Sequence, residues 1–376
     1  MQVLIGADIV PTQSNKTLFT AGDAKSLVGE RLLALLQGAD LRILNLETPL
    51  TDADTPISKC GANFRAPTDT VAGMKALGID VVTLANNHIL DQGQLGLATT
   101  CRTLAQAGIA HFGTGLPGEC ETPWYWEKDG KRIGFYACAE HEFSIAEEKC
   151  PGANPFDPLE TPDHIGEMKK NCDFAVVLYH GGKEHYRYPS PALQKTCRKL
   201  VEKGADMVIC QHSHCIGCEE KYLQGTIVYG QGNFLFDHGD NEYRNTALLV
   251  RIGDDFSVDY IPVCKDGASV RLAEPAETEE ILKGFYDRSR EITEPGAVQS
   301  RYEEFAKKMR QQYLLALNGI RYRSFFNRLL NRLTGGRWLR WRLRRYEKEG
   351  LLTLQNFVEC EAHRELLIQM LTGNED

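Results

Sequence analysis

Apolar residues fall in short blocks through the first two thirds of the chain, and five of those blocks stop on a residue that can bind a metal. VLIGAD ends at Asp8, LRILNLE at Glu47, VVTLANNH at His88, FAVVLYH at His180 and MVICQHSH at His214. Each block is short, rich in Val, Ile or Leu and bounded by polar residues, the pattern of a strand buried on both faces. Between the blocks the period changes to that of a helix. Helical patterns over 68–77, 93–107 and 190–203 close on Gly78, Gly108 and Gly204, and each glycine is followed by another apolar run, the αβ half of a repeated unit. The run 79–84 reads as one such buried strand. Further strands are predicted over 226–229, 247–252 and 257–261, with no helix between them and with Pro262 stopping the last. The pattern therefore describes a mixed α/β domain over 1–265 whose final strands pair antiparallel. An acidic, Pro- and Ala-containing stretch at 274–280 marks a change, and 275–376 reads as helical with no further strand.

Composition narrows the class. With 376 residues, 42% of them hydrophobic and 25% charged, the chain lies in the globular range and is long enough for a large core. No run approaches the roughly eighteen apolar residues of a membrane span. The first strand pattern begins at Met1-Gln2-Val3 with nothing before it that reads as a secretory signal. The twelve cysteines are scattered, Cys138 and Cys210 in apolar runs, Cys101 and Cys197 in helical ones. Together these features predict reduced thiols and a cytoplasmic chain.

Charge is distributed unevenly. Residues 321–348 hold ten Lys or Arg and one acid, Glu347, a net +9, so the remaining residues sum to −17 against a total of −8. Phe325, Leu329, Leu330 and Leu333 share one helical face, Gly335-Gly336 breaks the pattern, and Trp338 and Trp341 follow. Two readings are open. The segment is a helical hairpin whose apolar face packs on the acidic domain, or an amphipathic surface helix that contacts a synthase or the inner face of an anionic membrane. Nucleic acid is disfavoured, because the body is acidic and no recognition motif accompanies the basic stretch.

The candidate chemistry sits just past the strand ends, where parallel strands of α/β sheets gather their ligands. His212 and His214 follow one buried strand, and their two-residue spacing aims both rings into one site if the backbone turns or runs extended there. The Cys215-x-x-Cys218 pair beyond them offers a rival, a structural zinc site of His/Cys type. Asn86 and Asn87, buried after a strand, need partners for their amides, and a metal or phosphate can be one. His88 beside them has the pKa range of a general acid; as an alternative, Asn86-Asn87-His88 is a capped loop. Asp8 and Glu47 add hard carboxylate ligands that can bridge two divalent ions.

Taken in order, GADIVPT, NLETPLT, FRAP, ANNHILDQG, HGGKEHYRYPS, QHSH and YGQGNFLFD resemble the capsule synthesis protein CapA family, also called the poly-γ-glutamate capsule biosynthesis family. The resemblance covers about residues 1–240 and leaves the helical tail outside. It implies kinship with calcineurin-like metallophosphoesterases and their four-layer α/β/β/α sandwich. It further implies that Asp8, Glu47, Asn87, His180, His212 and His214 surround one or two divalent ions, manganese, iron or zinc. By the same resemblance His88 meets the leaving group, Glu184 stands at the rim of the site, and Asn45, Asn86 and Asn233 contact substrate. The implied function is a metal-dependent, phosphoesterase-like hydrolase of capsule, cell-surface polysaccharide or poly-γ-glutamate metabolism, acting on an anionic polymer or phosphoester. Alternatives are a non-hydrolytic accessory protein that binds the polymer or a synthase, and a γ-glutamyl amide hydrolase. Three departures bear on the site. Gly6-Ala7-Asp8 stands where the family more often has Gly-Asp. Gln211 stands where many members have another histidine or a small residue. Val10 occupies the place of a phosphoesterase histidine, which predicts that one metal position is weak or incomplete.

Overall fold

The Val- and Ile-rich blocks do form strands, and they build two sheets that face each other. The computed structural model describes residues 1–237, 242–317, 319, 324–346 and 348–372. Its strands are β1 (Val3–Ile9), β2 (Leu41–Leu46), β3 (Val81–Thr83), β4 (Ala110–Phe112), β5 (Thr114–Gly115), β6 (Trp124–Lys128), β7 (Lys131–Ala139), β8 (Gly152–Ala153), β9 (Phe174–His180), β10 (Met207–Gln211), β11 (Glu219–Tyr222), β12 (Gly225–Tyr229), β13 (Asn233–Leu235), β14 (Thr246–Ile252), β15 (Val258–Asp266) and β16 (Ser269–Leu272). The helices are α1 (Lys16–Ala21), α2 (Ala24–Gly38), α3 (Val71–Ala76), α4 (Gly93–Ala107), α5 (Thr161–Lys169), α6 (Pro191–Glu202), α7 (Pro275–Glu291), α8 (Ala297–Ala316), α9 (Phe325–Leu333), α10 (Arg337–Leu343), α11 (Lys348–Glu359) and α12 (Glu361–Thr372).

One sheet runs β16-β15-β14-β1-β2-β3-β4, with β13 also pairing β1; the other runs β11-β12-β10-β9-β7-β6. Strand alternation sends successive side chains to opposite faces, and this sorts the apolar residues into three cores. Val3, Ile5, Ile43 and Val81 of the first sheet meet Phe135, Val176, Leu178 and Ile209 of the second. Their neighbours Leu4, Leu44 and Val82 turn outward onto Leu27, Leu32, Met74 and Leu97 of α2, α3 and α4. On the far side Tyr136, Val177 and Val208 pack on Ile165, Leu193 and Leu200 of α5 and α6. The result is the expected four-layer α/β/β/α sandwich. Two buried amides tie its sheets together: Gln211 Nε2 donates to Gly6 O (3.2 Å) and Gln231 Nε2 to Ile5 O (3.0 Å). Parallel pairing of β1 with β2 and of β9 with β10 brings Asp8, Glu47, His180 and the residues after Gln211 to the same end of the sandwich.

Several expectations are corrected. Pro262 does not stop a strand, since β15 runs through it. Pro262 O accepts from Ala273 N, so its missing N–H points to the same side, where β16 ends at Leu272, and no bond to β14 is lost. A further strand, β16, follows residue 265. The 226–229 run becomes β12, which pairs parallel with β10 in the second sheet while only β11 lies antiparallel beside it. The predicted helix over 68–77 is a 3-10 turn, Thr68–Thr70, leading into α3. The 274–280 stretch is a helix start: Glu274 and Glu277 form a reciprocal capping box, with Pro275 in the first turn of α7. Phe285 on α7 is fully buried, 4.8 Å from the Tyr260 ring of β15. The first compact unit accordingly runs from Met1 to Tyr302, past the compositional change near 265, and the second from Glu303 to Asp376. All twelve cysteines are free thiols.

The loop after β10 depends on one close approach. A Cβ at Gly217 would lie 1.8 Å from Tyr229 O and 2.6 Å from its carbon, backbone atoms that a rotamer change does not move aside. Gly217→Ala is therefore expected to cost about 1–3 kcal/mol in urea unfolding, whereas Gly108→Asn, at a helix end with nothing within 4 Å of the added Cβ, costs well under that.

Candidate metal centre

Asp8 lies at the end of β1, Glu47 follows β2, Asn86 and Asn87 follow β3, His180 ends β9, and His212 and His214 follow β10. The two sheets bring these residues into two overlapping groups. Glu47, His180 and His212 present ligand atoms within 4.8 Å of one another, and so do Asp8, Glu47 and His214. Glu47 belongs to both, the position of a bridging carboxylate. Among the described residues no cysteine joins such a group. Cys215 and Cys218 are buried but join no such group, so the rival zinc site has no ligand set. The two-residue spacing of the histidines works through a turn: His212 and His214 have φ of 80° and 53°. Non-glycine residues held there store about 1–3 kcal/mol each, and such positions cluster at functional sites.

The chemistry of the donors fits divalent cations. Both Glu47 oxygens, Asp8 Oδ2 and His212 Nδ1 are buried without a hydrogen-bond partner, a costly arrangement for two carboxylates unless a cation satisfies them. Burial, then the Asp8 charge, pushes the Glu47 carboxyl up to about 8. Burial acts in the same sense on Asp8, but His214, His180 and Asn45 outweigh it and hold that carboxyl below its usual range. Of the pair, one acid keeps its charge while the other holds a proton. Burial lowers His180 to about 4 and His212 to about 3, so both rings are neutral near pH 7, the form that ligates metal. Burial opposes charge on His214 as well, yet Glu47 and Asp8 raise it to about 9.

Two asparagines expected to contact substrate serve the scaffold instead. Asn45 and Asn86 are fully buried. Asn45 Nδ2 donates to Asp8 Oδ1 (2.8 Å) and lies 3.3 Å from His180 Nδ1. Asn45 Oδ1 accepts from Thr83 Oγ1 and from Asn86 Nδ2, each at 3.0 Å. Asn86 Nδ2 also donates to Leu46 O, and Asn86 Oδ1 accepts from His88 N. Their amides are thus spent on fixing Asp8, His180 and His88. Asn233 pairs with Asp8 across β13 and β1, and its Oδ1 lies 2.8 Å from His214 Nδ1, so it orients that ring. Asn87 Nδ2 donates to Glu142 Oε2 (2.7 Å), which turns Oδ1 to within 3.0 Å of His180 Nε2.

His88 stands beside the cluster in a setting of its own. Its Nδ1 lies 2.6 Å from Asp91 Oδ2, three residues on in the same turn, and 3.2 Å from Lys59 Nζ. Lys59 and Asp91 form a buried ion pair. Asp91 Oδ2 also accepts from Phe64 N, and the Phe64 ring stacks on His88 at 4.1 Å. Phe64 meets Phe236 edge-on at 5.5 Å, and Phe236 meets His214 at 5.4 Å. The two phenyl rings thereby connect His88 to His214, and both also line a cleft of about 600 Å3 together with Val10, Lys16, Arg65, Asp52 and Asp237. Val10 packs there as a wall, and the Asp8–Glu47–His214 group has its three donors without a contribution from that position. Glu184 lies near the histidines: burial would raise its carboxyl, but His214, His212, Lys183 and His185 hold it below the usual range. Asp91, Lys59, Phe64 and Glu142 were not singled out in the sequence. Only Asp91 carried a local signal, its three-residue spacing from His88.

Fold and site together define a four-layer α/β protein with a buried carboxylate–histidine pocket able to hold divalent metal. Residues 3–238 match the bacterial capsule synthesis protein family PGA_cap, and the chain belongs to that family. It is 30% identical over 224 residues to the capsule biosynthesis protein CapA of Bacillus anthracis, an alignment covering 57% of this chain and 54% of that protein. It is 29% identical over 226 residues to the PGA biosynthesis protein CapA of Bacillus subtilis, covering 57% and 58%. The chain thus spans little more than half the length of these relatives. Among solved structures, a phosphatase from Mycoplasma pneumoniae superposes with a TM-score of 0.41 and 15% identity over 72% of this chain and 90% of that one, a likeness that carries no argument about activity.

Glu47→Gln tests the shared ligand. The substitution is expected to remove both ions from elemental analysis, while His212→Ala removes one. Without metal the same Gln variant is expected to be about 1–4 kcal/mol more stable than the parent at pH 8. The sign follows from the raised pKa. Above about 4.3 the unfolded chain releases this proton while the folded chain keeps it until about 8, so metal-free stability falls across that window. Thermal melts from pH 5 to about pH 8, with and without manganese, check both statements.

Proposed function

We propose that the protein is a metal-dependent hydrolase of phosphoester type that serves capsule or poly-γ-glutamate metabolism. The observation that carries this reading is Glu47, a fully buried carboxylate with both oxygens unpartnered and membership of both ligand groups. Divalent ions held there would supply Lewis acidity and an activated water. The chain's own residues supply the rest. Asn45 and Asn86 fix the ligands, and Asn233 and Glu142 orient His214 and Asn87. Asp91 accepts from His88 Nδ1, which leaves Nε2 to face the departing oxygen, and the ring with both nitrogens protonated would pass its Nε2 proton there and keep the one on Nδ1. Glu184, close enough to feel the charges of His212 and His214, would stand at the rim of the site.

A second reading, an accessory protein that holds an anionic polymer or a synthase without cleaving, draws on the Bacillus relatives, a capsule biosynthesis protein and a PGA biosynthesis protein. A γ-glutamyl amide is a further electrophile for the same groups. Turnover separates them. On a nitrophenyl phosphodiester with manganese, iron or zinc supplied, Asp8→Ala is expected to abolish activity. His88→Ala is expected to lower kcat by about 10²–10⁴, and Asp91→Asn to lower kcat and shift the pH profile with metal content unchanged. Full activity in Asp8→Ala and His88→Ala would rule the hydrolase out. A fully metal-loaded protein inert to the phosphodiester but releasing glutamate from a γ-linked oligomer would favour the amide reaction; inertness to both would favour the accessory role.

A further inference from the structure

The second compact unit carries a surface that the metal centre does not use. In α9, Phe325, Leu329 and Leu333 recur every fourth residue with Phe326 and Leu330 beside them, so the apolar side chains share one side of the helix. They are not buried: Phe325 is 81% exposed, Phe326 70% and Leu333 74%, and Trp341 on α10 is 60% exposed. Cations flank them. Arg328, Arg332, Arg337, Arg340, Arg342 and Arg344 all lie in 324–346, where the sequence has no Asp or Glu. Arg321, Arg323 and Glu347 of the basic stretch lie outside the described residues. Arg342 stands over the rings of Trp338 and Trp341 at 5.9 and 5.3 Å, coupling charge to the aromatic edge. The exposed apolar residues of α11 and α12 have no such setting, because Glu349, Glu359, Glu361 and Glu365 accompany them.

We propose that α9 and α10 form a docking surface for an anionic lipid bilayer, with Phe325, Phe326, Leu329, Leu333 and Trp341 entering the headgroup–acyl boundary and the arginines meeting lipid phosphates. Charge complementarity alone would also suit a nucleic acid, but a nucleic acid offers nothing to five exposed apolar side chains. An interface does, since it supplies an apolar phase beside a layer of negative charge. The helices are too short to cross: among the described residues no helix is long and apolar enough to span a membrane. The binding is therefore peripheral and depends on both the apolar residues and the arginines. It is independent of the hydrolase reading, because none of these residues lies in the metal centre.

Sedimentation of the full chain with phosphatidylglycerol-containing vesicles tests this against phosphatidylcholine vesicles. The protein is expected to pellet with the anionic vesicles only, with a blue shift in tryptophan emission. Each basic residue near such a surface contributes about fivefold to partitioning. Arg328→Gln/Arg332→Gln should accordingly weaken binding at least tenfold, and raised salt should mimic it. Phe325→Ser/Phe326→Ser should weaken it comparably at constant charge; these side chains are exposed, so the fold and any phosphodiester turnover should be unchanged. Equal pelleting with both vesicle types, no pelleting with either, or undiminished binding in both double variants would overturn the proposal. So would tight binding to duplex DNA that survives Phe325→Ser/Phe326→Ser in a chain that ignores vesicles.

Discussion

Two carboxylates are buried side by side where the sheets meet, and much of the surrounding structure is arranged around that fact. Taking Asp8 and Glu47 out of water is costly unless positive charge answers them. The chain answers in part: it surrounds Asp8 with Asn45 and His214 and leaves Glu47 without any hydrogen bond. What remains is an unmet demand for positive charge, open toward His180 and His212. A core built for stability alone would place apolar residues there. The cost of holding these acids, and of holding His212 and His214 with positive φ, is carried by the three apolar cores and by the glutamine ties between the sheets.

The site has a division of labour between the two sheets. The carboxylates and asparagines come from the ends of the first sheet's strands and His180, His212 and His214 from the second, all of them buried. His88 belongs to neither group. It is held by Asp91 and Lys59 under the Phe64 ring, beside the cleft rather than within the ligand cluster. Separate anchoring lets a proton-handling residue and a charge-holding cluster be adjusted independently, since each has its own hydrogen-bond partners.

Much of this was readable in the sequence, and the limits have physical reasons. Strand blocks ending on Asp8, Glu47, His180 and His214 showed the parallel sheets and the side of the fold that carries chemistry, because burial on both faces forces continuous apolar runs. Periodicity does not say which sheet a strand joins. The 226–229 run was therefore placed among antiparallel strands although β12 lies parallel to β10. Pro262 was read by a rule that holds only where its missing N–H would face a partner. The β6–β7 hairpin did have a signal, Asp129-Gly130, both with positive φ in the turn. Asn45 and Asn86 were assigned to substrate because asparagines at a pocket can serve a ligand or a neighbour equally well, and only their partners decide which. Lys59 and Glu142 had no local signal, since each meets its partner across a long stretch of chain.

The tie from Gln211 to Gly6 joins residues 205 apart in the chain, and the metal centre straddles the same gap. Asp8 emerges from synthesis long before His180, His212 and His214, the histidines that complete its surroundings. Until β10 and its following turn are made, His180 is the one histidine of the centre that exists to meet the acids. The pocket is thus built from contacts of high sequence separation, and without His212 and His214 neither ligand group is complete.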